Sequence, residues 1–349
     1  MDETSNEEVR KIQLTGGSTY IVSLPKNWVE KTGLKRGSVV SISEADDLSL
    51  TIHPKRSKKD EKLKRATITV SDDMSPESLV RRVISTYLIG YNVIQLKNPE
   101  KRIDPTQRYT VKEFARNKLV GTEILSDLPN ELVMQVLLSH SELSINDALR
   151  RMAIIASSMH RDAIYTLRGE NSQLAREVIS MDDEVDRFSL YIIRLLKAAV
   201  SDGRVLKEVR LNSPRECLGY RLITKSVERM ADHAVNIAHN SLALTPSNLS
   251  NEVLKELKSL SDRALKVFED SIEQLFERNY AAADKVMEKA EEIRRMEMDV
   301  IQKIIKNAAQ EDVPALRLIV ESILRTAEYG SDIAETVLNM TITREIKEG

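Results

Sequence analysis

The sequence predicts a mainly α-helical protein preceded by a β segment and a small α/β segment, and three observations predict it. From residue 141 to residue 344, apolar residues recur at the 3.6-residue period of a helix packed on one face. Residues 9–54 instead alternate apolar and polar side chains in short runs, the period of half-buried strands. Residues 174–240 and 282–336 read as two copies of one helical unit, so the helical region is a duplication.

In the first segment (residues 1–55) the strand runs are Ile12 and Leu14; Tyr20, Val22 and Leu24; Val39, Val40 and Ile42; and Leu48, Leu50 and Ile52. Turn chemistry at Gly16-Gly17, Lys35-Arg36-Gly37 and Asp46-Asp47 separates them. Pro25 to Thr32 predicts one short helix with proline in its first turn. A segment this short buries too little surface to stand alone, so its size predicts a homodimer sharing one core. Over Arg10–Arg65, 13 Lys and Arg stand against 6 Asp and Glu in a chain whose net charge is −2. That excess suggests an anionic partner. Seven of the 13 fall in Lys55–Arg65, so the excess equally fits a solvated basic linker, placed at 56–65.

Residues 66–139 predict a small α/β domain: strands at Ala66–Val70, Tyr91–Leu96 and Glu131–Leu138, helices at about Ser75–Leu88 and Val111–Leu119. Ser75-Pro76-Glu77 opens the first helix as a cap followed by proline. No phosphate-cradling glycine loop, metal-ligand cluster or nucleophile–base pair stands out here, and its role is not readable.

Residues 140–349 predict the helical bundle. Interruptions near Gly169, Asp202–Ser213, Thr245–Ser250, Asn279 and Glu311–Pro314 divide it into six helices. Ser213-Pro214-Arg215-Glu216 places a serine cap, a first-turn proline and a glutamate three residues on, fixing the start of the third helix. Two three-helix repeats, 141–244 and 251–342, are the economical arrangement.

The chain has 349 residues, 41% hydrophobic and 30% charged, with a single cysteine, Cys217. One cysteine leaves no intramolecular disulfide framework and suits a reducing cytoplasm. No apolar run reaches the roughly 18 residues a membrane helix needs, and the acidic start Met1–Glu8 is unlike a signal peptide. The expectation is a cytoplasmic protein without direct membrane insertion.

The two repeats differ in their acids. In copy one, Val178, Met181, Val185, Phe188, Ile192 and Leu195 form an apolar stripe, with Asp182 and Asp186 on its flank. Asp183 has Arg187 four residues on, but Asp182 and Asp186 have no basic residue three or four positions away, so something else must neutralise them. In the following helix Glu228, Asp232 and Asn236 step by four, and His239 shares their face. Oxygen donors from two adjacent helices suit a hard or borderline cation. The alternative is a pair of surface acidic clusters, with Lys225 pairing Glu228 and Arg229 pairing Asp232. In copy two Asp182, Asp186 and Glu228 become Ala290, Arg294 and Leu324. Arg294 is then expected to neutralise Glu328 and Asp332, leaving one metal site, in copy one.

Asp182–Asp186 together with Glu228-Arg229-Met230-Ala231-Asp232-His233-Ala234-Val235-Asn236-Ile237-Ala238 resembles the PhoU family, regulators of phosphate uptake built of two three-helix bundles. The resemblance implies a PhoU-like six-helix bundle and a metal ion or cluster (iron, zinc, manganese or magnesium) with Asp182, Asp186, Glu228, Asp232 and Asn236 as ligands or near-ligands. His239 replaces the family's usual glutamate, and copy two loses most of the pattern. Val9-Arg10-Lys11-Ile12 through Gly16, Val22-Ser23-Leu24-Pro25-Lys26 and Gly33-Leu34-Lys35-Arg36-Gly37 are similar to the SpoVT-AbrB family, a swapped-hairpin DNA-binding dimer. Gly17-Ser18-Thr19 stands where that family often has Gly-Arg. Arg10, Lys11, Lys26, Lys31, Lys35 and Arg36 remain for DNA phosphates. Fusion of the two is similar to archaeal phosphate-uptake regulators.

Three functions follow as expectations. The first is a homodimeric, metal-binding transcriptional regulator of phosphate uptake that binds DNA. The second is an adaptor without DNA binding that acts through a phosphate transporter ATPase or a sensor kinase. The third, a di-metal carboxylate enzyme, fits worse: such sites use Glu-x-x-His pairs, and none of His53, His140, His160, His233 and His239 has a glutamate three residues before it. No enzymatic activity is expected.

Overall fold

A computed structural model describes residues 8–44, 48–54, 63–139, 142–167, 172–244 and 249–346. The chain divides into two compact units, Met1–Lys62 and Leu63–Gly349. The expected turn at Asp46-Asp47, most of the basic linker, His140 and the breaks at Gly169 and Thr245 lie outside the described residues.

In the first unit β1 (Gln13–Thr15) and β2 (Thr19–Ile21) form one antiparallel hairpin, and β3 (Val40–Glu44) and β4 (Leu50–Pro54) a second. Gly16 and Gly17 turn the first with φ of +63° and +80°, a backbone region that only glycine enters cheaply. Helix α1 (Lys26–Thr32) starts one residue later than expected. Pro25 is its N-cap, with ψ of 128°, and lies outside the helix instead of forming its first turn. The two hairpins are separate two-stranded sheets, and α1 buries no residue. Leu14, Tyr20, Ile42 and Leu50 are 58–75% exposed, so the described residues of one copy of this unit form no core.

The second unit opens with a four-stranded sheet in the order β5-β6-β8-β7: β5 (Arg65–Thr69), β6 (Val93–Lys97), β7 (Thr122–Leu128) and β8 (Glu131–Val136). Arg65, expected in the linker, already pairs with Val93 as the first residue of β5. Helix α2 (Pro76–Ile89) is the crossover between the parallel strands β5 and β6; Ser75 caps it by accepting from the Ser78 N–H at 3.2 Å. Helix α3 (Pro105–Lys118) begins six residues before the expected Val111. Asp104 caps it, accepting from the N–H groups of Thr106 (2.8 Å) and Gln107 (3.2 Å).

The bundle follows as α4 (Ile145–Thr166), α5 (Ser172–Ser201), α6 (Gly203–Glu208), α7 (Pro214–Ser241), α8 (Asn251–Glu277), α9 (Tyr280–Arg295), α10 (Glu297–Asn307) and α11 (Val313–Thr341). The six expected helices are present, with two differences. The break at 202–213 contains the short α6, capped by Asp202, and the fifth helix is divided at Met296 with no proline or glycine to cause it. Helix α7 starts at Pro214 as expected, but its capping glutamate binds elsewhere: Glu216 accepts from the Asn212 backbone at 3.0 Å and from Arg278 at 2.7 Å. No described helix is long and apolar enough to cross a membrane.

Helices α4, α5 and α7 pack as one repeat, α8, α9 and α11 as the other, and the repeats join through α7–α11 and α4–α8. His233 on α7 and Tyr329 on α11, equivalent positions of the two copies, meet at 3.3 Å. A position touching its own repeat-equivalent is what a local twofold axis produces. His160 on α4 is fully buried; Nε2 lies 2.8 Å from Ser261 Oγ on α8 and Nδ1 3.3 Å from Thr326 Oγ1 on α11. The α/β segment is anchored to α5: buried Arg194 donates to the Tyr87 carbonyl, its guanidinium 4.7 Å from the Tyr87 ring centroid.

Two measurements test this packing. At Gly330 an added Cβ would lie 2.9 Å from the Phe268 backbone of α8, whereas Gly203 faces open space. Gly330→Val therefore lowers the urea midpoint by the equivalent of about 1–3 kcal/mol, and Gly203→Ala leaves it unchanged or raises it slightly. Burial pushes His160 down from 6.5 to about 4. A lowered histidine pKa gives stability that is complete above pH 6.5 and lost as pH falls through about 4. His160→Gln, compared with wild type across that range by thermal melts, removes that part of the acid sensitivity.

Candidate functional site

Helices α5 and α7 share an apolar seam in which Val178, Val185, Ile192, Val227, Met230, Ala231 and Ala234 are fully buried. Asp182 and Asp186 flank that stripe on α5, and Glu228 and Asp232 flank it on α7, so Asp182, Asp186 and Glu228 are partly buried while Asp232 sits toward the exposed edge. The Oδ1 atom of Asp182 is buried without a hydrogen-bond partner. Burial, then the charges of Asp186 and Asp232, pushes the Asp182 carboxyl up to about 6. Burial, then the charge of Glu228, also raises Asp232, and Asp186 adds to it from the other helix. Four of the five expected metal residues thus form one electrostatic cluster. Asn236 and His239 follow on the exposed rim of α7.

The positive charge near this cluster comes from an unexpected place. Lys118, the last residue of α3, sets its Nζ 2.5 Å from Asp183 Oδ1 and 2.7 Å from Asp186 Oδ2. Burial would lower its pKa, but the two carboxylates outweigh that and raise it. Arg187, expected to serve Asp183, instead lies 3.4 Å from Glu184. On α7, Lys225 pairs with Glu228 at 2.6 Å, as the surface-pair alternative expected, and Ser189 donates to Glu228 at 2.9 Å. Nothing in the sequence marks Ser189 or Lys118 for this place. Ser189 has the plain spacing of a core residue on α5, and Lys118 lies 68 residues from Asp186 on another element.

Among the described residues no three His, Cys, Asp or Glu side chains already converge as a metal cage. The donor set nevertheless fits a cation: a buried carboxylate oxygen of Asp182 lacks a partner, and burial with neighbouring carboxylates raises the proton affinity of Asp182 and Asp232. A hard ion relieves both.

Copy two is built differently. Ala290 and Leu324 are buried in the core, where they replace Asp182 and Glu228. Arg294 is exposed, and the expected pairing with Glu328 is made by Arg325 instead, at 2.7 Å. The neighbouring residue on the same helix face reaches the acid more directly than one on another helix.

In the first unit the six candidate cations are all exposed. Arg10 pairs with Glu8, and Lys26 lies 3.8 Å from Glu30. Lys31, Lys35 and Arg36 stand together around the left-handed Gly33 and Gly37, where α1 gives way to the loop before β3.

Comparison with known proteins places these features. The PhoU domain family matches residues 149–241 and 257–337, and the family described as antidote-toxin recognition MazE, bacterial antitoxin, matches residues 13–60. The chain is 24% identical over 204 residues to phosphate-specific transport system accessory protein PhoU homolog 1 of Thermotoga maritima, covering 57% of this chain and 86% of that protein. It is 23% identical over 197 residues to the PhoU homolog of Rhizobium meliloti, covering 55% and 81%. Among solved structures, the phosphate transport system regulatory protein PhoU of Streptococcus pneumoniae superposes with a TM-score of 0.50 at 18% identity, covering 58% of this chain and 96% of that one. PhoU of Pseudomonas aeruginosa gives 0.50 at 17%, with the same coverage.

The Asp182 environment makes a testable claim on stability. A carboxyl raised from 3.8 to about 6 stabilises the fold fully below pH 3.8 and ceases to as pH rises through 6. In chelator-treated protein, Asp182→Asn raises Tm at pH 7 and flattens the stability profile between pH 4 and 6. An unchanged Tm at pH 7 would show that the group is not strained in the fold.

Proposed function

Because the helical part of the chain belongs to the PhoU domain family, we propose that the protein is a metal-binding regulator of phosphate uptake that acts on transcription through a DNA-binding MazE/AbrB-like homodimer. The observation that carries the metal part is the unpartnered, buried Asp182 Oδ1 beside the carboxylates of Asp186 and Asp232, the latter in turn beside Glu228. These four residues would hold the ion, with Asn236 beside them, and their all-oxygen character suits magnesium, manganese, iron or zinc. The ion would supply the positive charge that lets α5 and α7 bring four acids together. The site is confined to copy one, since Ala290, Arg294 and Leu324 remove three of the four donors from copy two.

The DNA part rests on the exposed Arg10, Lys11, Lys26, Lys31, Lys35 and Arg36, and on apolar strand faces that one copy leaves uncovered. A second copy covering those faces gives the unit its core and doubles the cationic surface. Lysine and arginine on DNA phosphates supply affinity without reading sequence.

Two observations favour the second reading, an adaptor for a phosphate transporter ATPase or sensor kinase that binds no DNA. Arg10 and Lys26 already have acidic partners in their own chain, and the relatives' names are those of transport accessory proteins.

Titration of promoter DNA at several salt concentrations separates the two. DNA binding requires an affinity that falls steeply with salt, and substituting Lys31, Lys35 and Arg36 by Gln reduces the log–log slope by about 0.9 for each phosphate that is no longer neutralised. No binding at low salt, with co-purification of transport subunits, establishes the adaptor instead. For the metal, elemental analysis of Asp182→Ala/Asp186→Ala protein is expected to show loss of the bound ion, and unchanged content rejects the site.

A further inference from the structure

We infer that Lys118 is a tethered cation that shares the acidic site of copy one with the metal ion, so that metal loading opposes the attachment of the end of α3 to α5. The inference rests on the metal reading above. It starts from where the lysine comes from. Lys118 belongs to the α/β segment, outside residues 149–241 and 257–337 that match the PhoU domain. The contact is therefore made from outside the part of the chain that matches that family.

Its position is fixed from both sides. The Lys118 side chain is 16% exposed. Behind it, Leu119 is buried in the α/β core and Val120 in the bundle core. The backbone after Lys118 is therefore held, and what the ion pair secures is the Lys118 side chain and the last turn of α3 before it. Asp186, which Lys118 meets at 2.7 Å, is one of the metal donors; Asp183, at 2.5 Å, points to the same ammonium from an adjacent position on the helix. The charged groups acting on Asp182 are Asp186, Asp232, Lys118 and Asp183.

A divalent ion bound through Asp186 would stand beside the ammonium group, and two like charges at that separation repel strongly in a half-buried site. Either the ion binds weakly with Lys118 in place, or Lys118 swings out. Coupling between two binding events is reciprocal. The factor by which the Lys118 ion pair lowers metal affinity is the factor by which the metal weakens that pair. Arg194 and Tyr87 anchor α2 to α5 independently, so the effect is confined to the end of α3.

The test uses the full chain and Mn²⁺ as probe. By isothermal titration, Lys118→Met binds Mn²⁺ roughly tenfold more tightly than wild type, equivalent to about 1.4 kcal/mol, while Lys118→Arg stays close to wild type because it keeps the charge. In wild-type protein, Mn²⁺ speeds amide exchange at Ala115–Lys118 and leaves the end of α2 unchanged, a readout that needs no variant. Equal or weaker Mn²⁺ binding by Lys118→Met, or added Mn²⁺ protecting Ala115–Lys118, overturns the inference while leaving the metal site standing. Absence of Mn²⁺ binding by both wild type and Lys118→Met, with circular dichroism showing folded protein, removes the metal reading and this inference together.

Discussion

The register between the two repeats depends on one buried polar contact. His160 uses both ring nitrogens, one with Ser261 and one with Thr326, and so ties α4 to α8 and α11. A neutral imidazole has one donor and one acceptor. Sliding either helix by a turn would orphan a buried nitrogen, at a cost of about 1–3 kcal/mol. The surrounding leucines, isoleucines and alanines tolerate such slides far better, since apolar packing is not directional. With that register set, His233 comes opposite Tyr329 across the α7–α11 seam, and the small Gly330 lets α11 lie against the α8 backbone.

The duplicated helices meet the same electrostatic problem in two ways. Copy one keeps acids on both sides of the α5–α7 seam, and burial with mutual repulsion raises Asp182 and Asp232. Positive charge is brought in from α3 and from Lys225. Copy two has reduced the difficulty by substitution: Leu324 and Ala290 add to the hydrophobic core, and Arg325 takes Glu328 along its own helix, while burial and the charges of Glu335 and Glu328 still raise Asp332. The first arrangement leaves a buried carboxylate oxygen of Asp182 without a partner, and the second puts apolar side chains in two of the equivalent places.

Much of this is legible in the sequence, and the exceptions have physical causes. The six long helices are visible because each carries a continuous apolar stripe ended by caps and breakers. Strand β7 escapes the strand pattern because an irregularity between Ile124 and Ser126 interrupts its alternation, and because its leucines Leu125 and Leu128 are exposed while polar Thr122 is buried. The first turn and a half of α3 escapes the helical pattern because Pro105 to Arg108 has no strongly apolar side chain; Gln107 is buried there, donating to the carbonyls of Ser71 and Met74. In the site, the acids stand out when the two copies are set against each other. Lys118 has no such counterpart, since neither period nor repeat relates α3 to α5.

The uncovered faces of the two N-terminal hairpins carry a consequence of a different kind. Isolated two-stranded hairpins are marginal in water, whereas the bundle has a core of its own. In the proposed dimer, folding of the first unit and association of two chains are one event, so the folded fraction follows chain concentration by mass action. If that dimer binds DNA as proposed, the cell's copy number becomes an input to it: at low abundance the chain exists as a finished bundle carrying an unfinished head, and the response to DNA steepens as the protein accumulates.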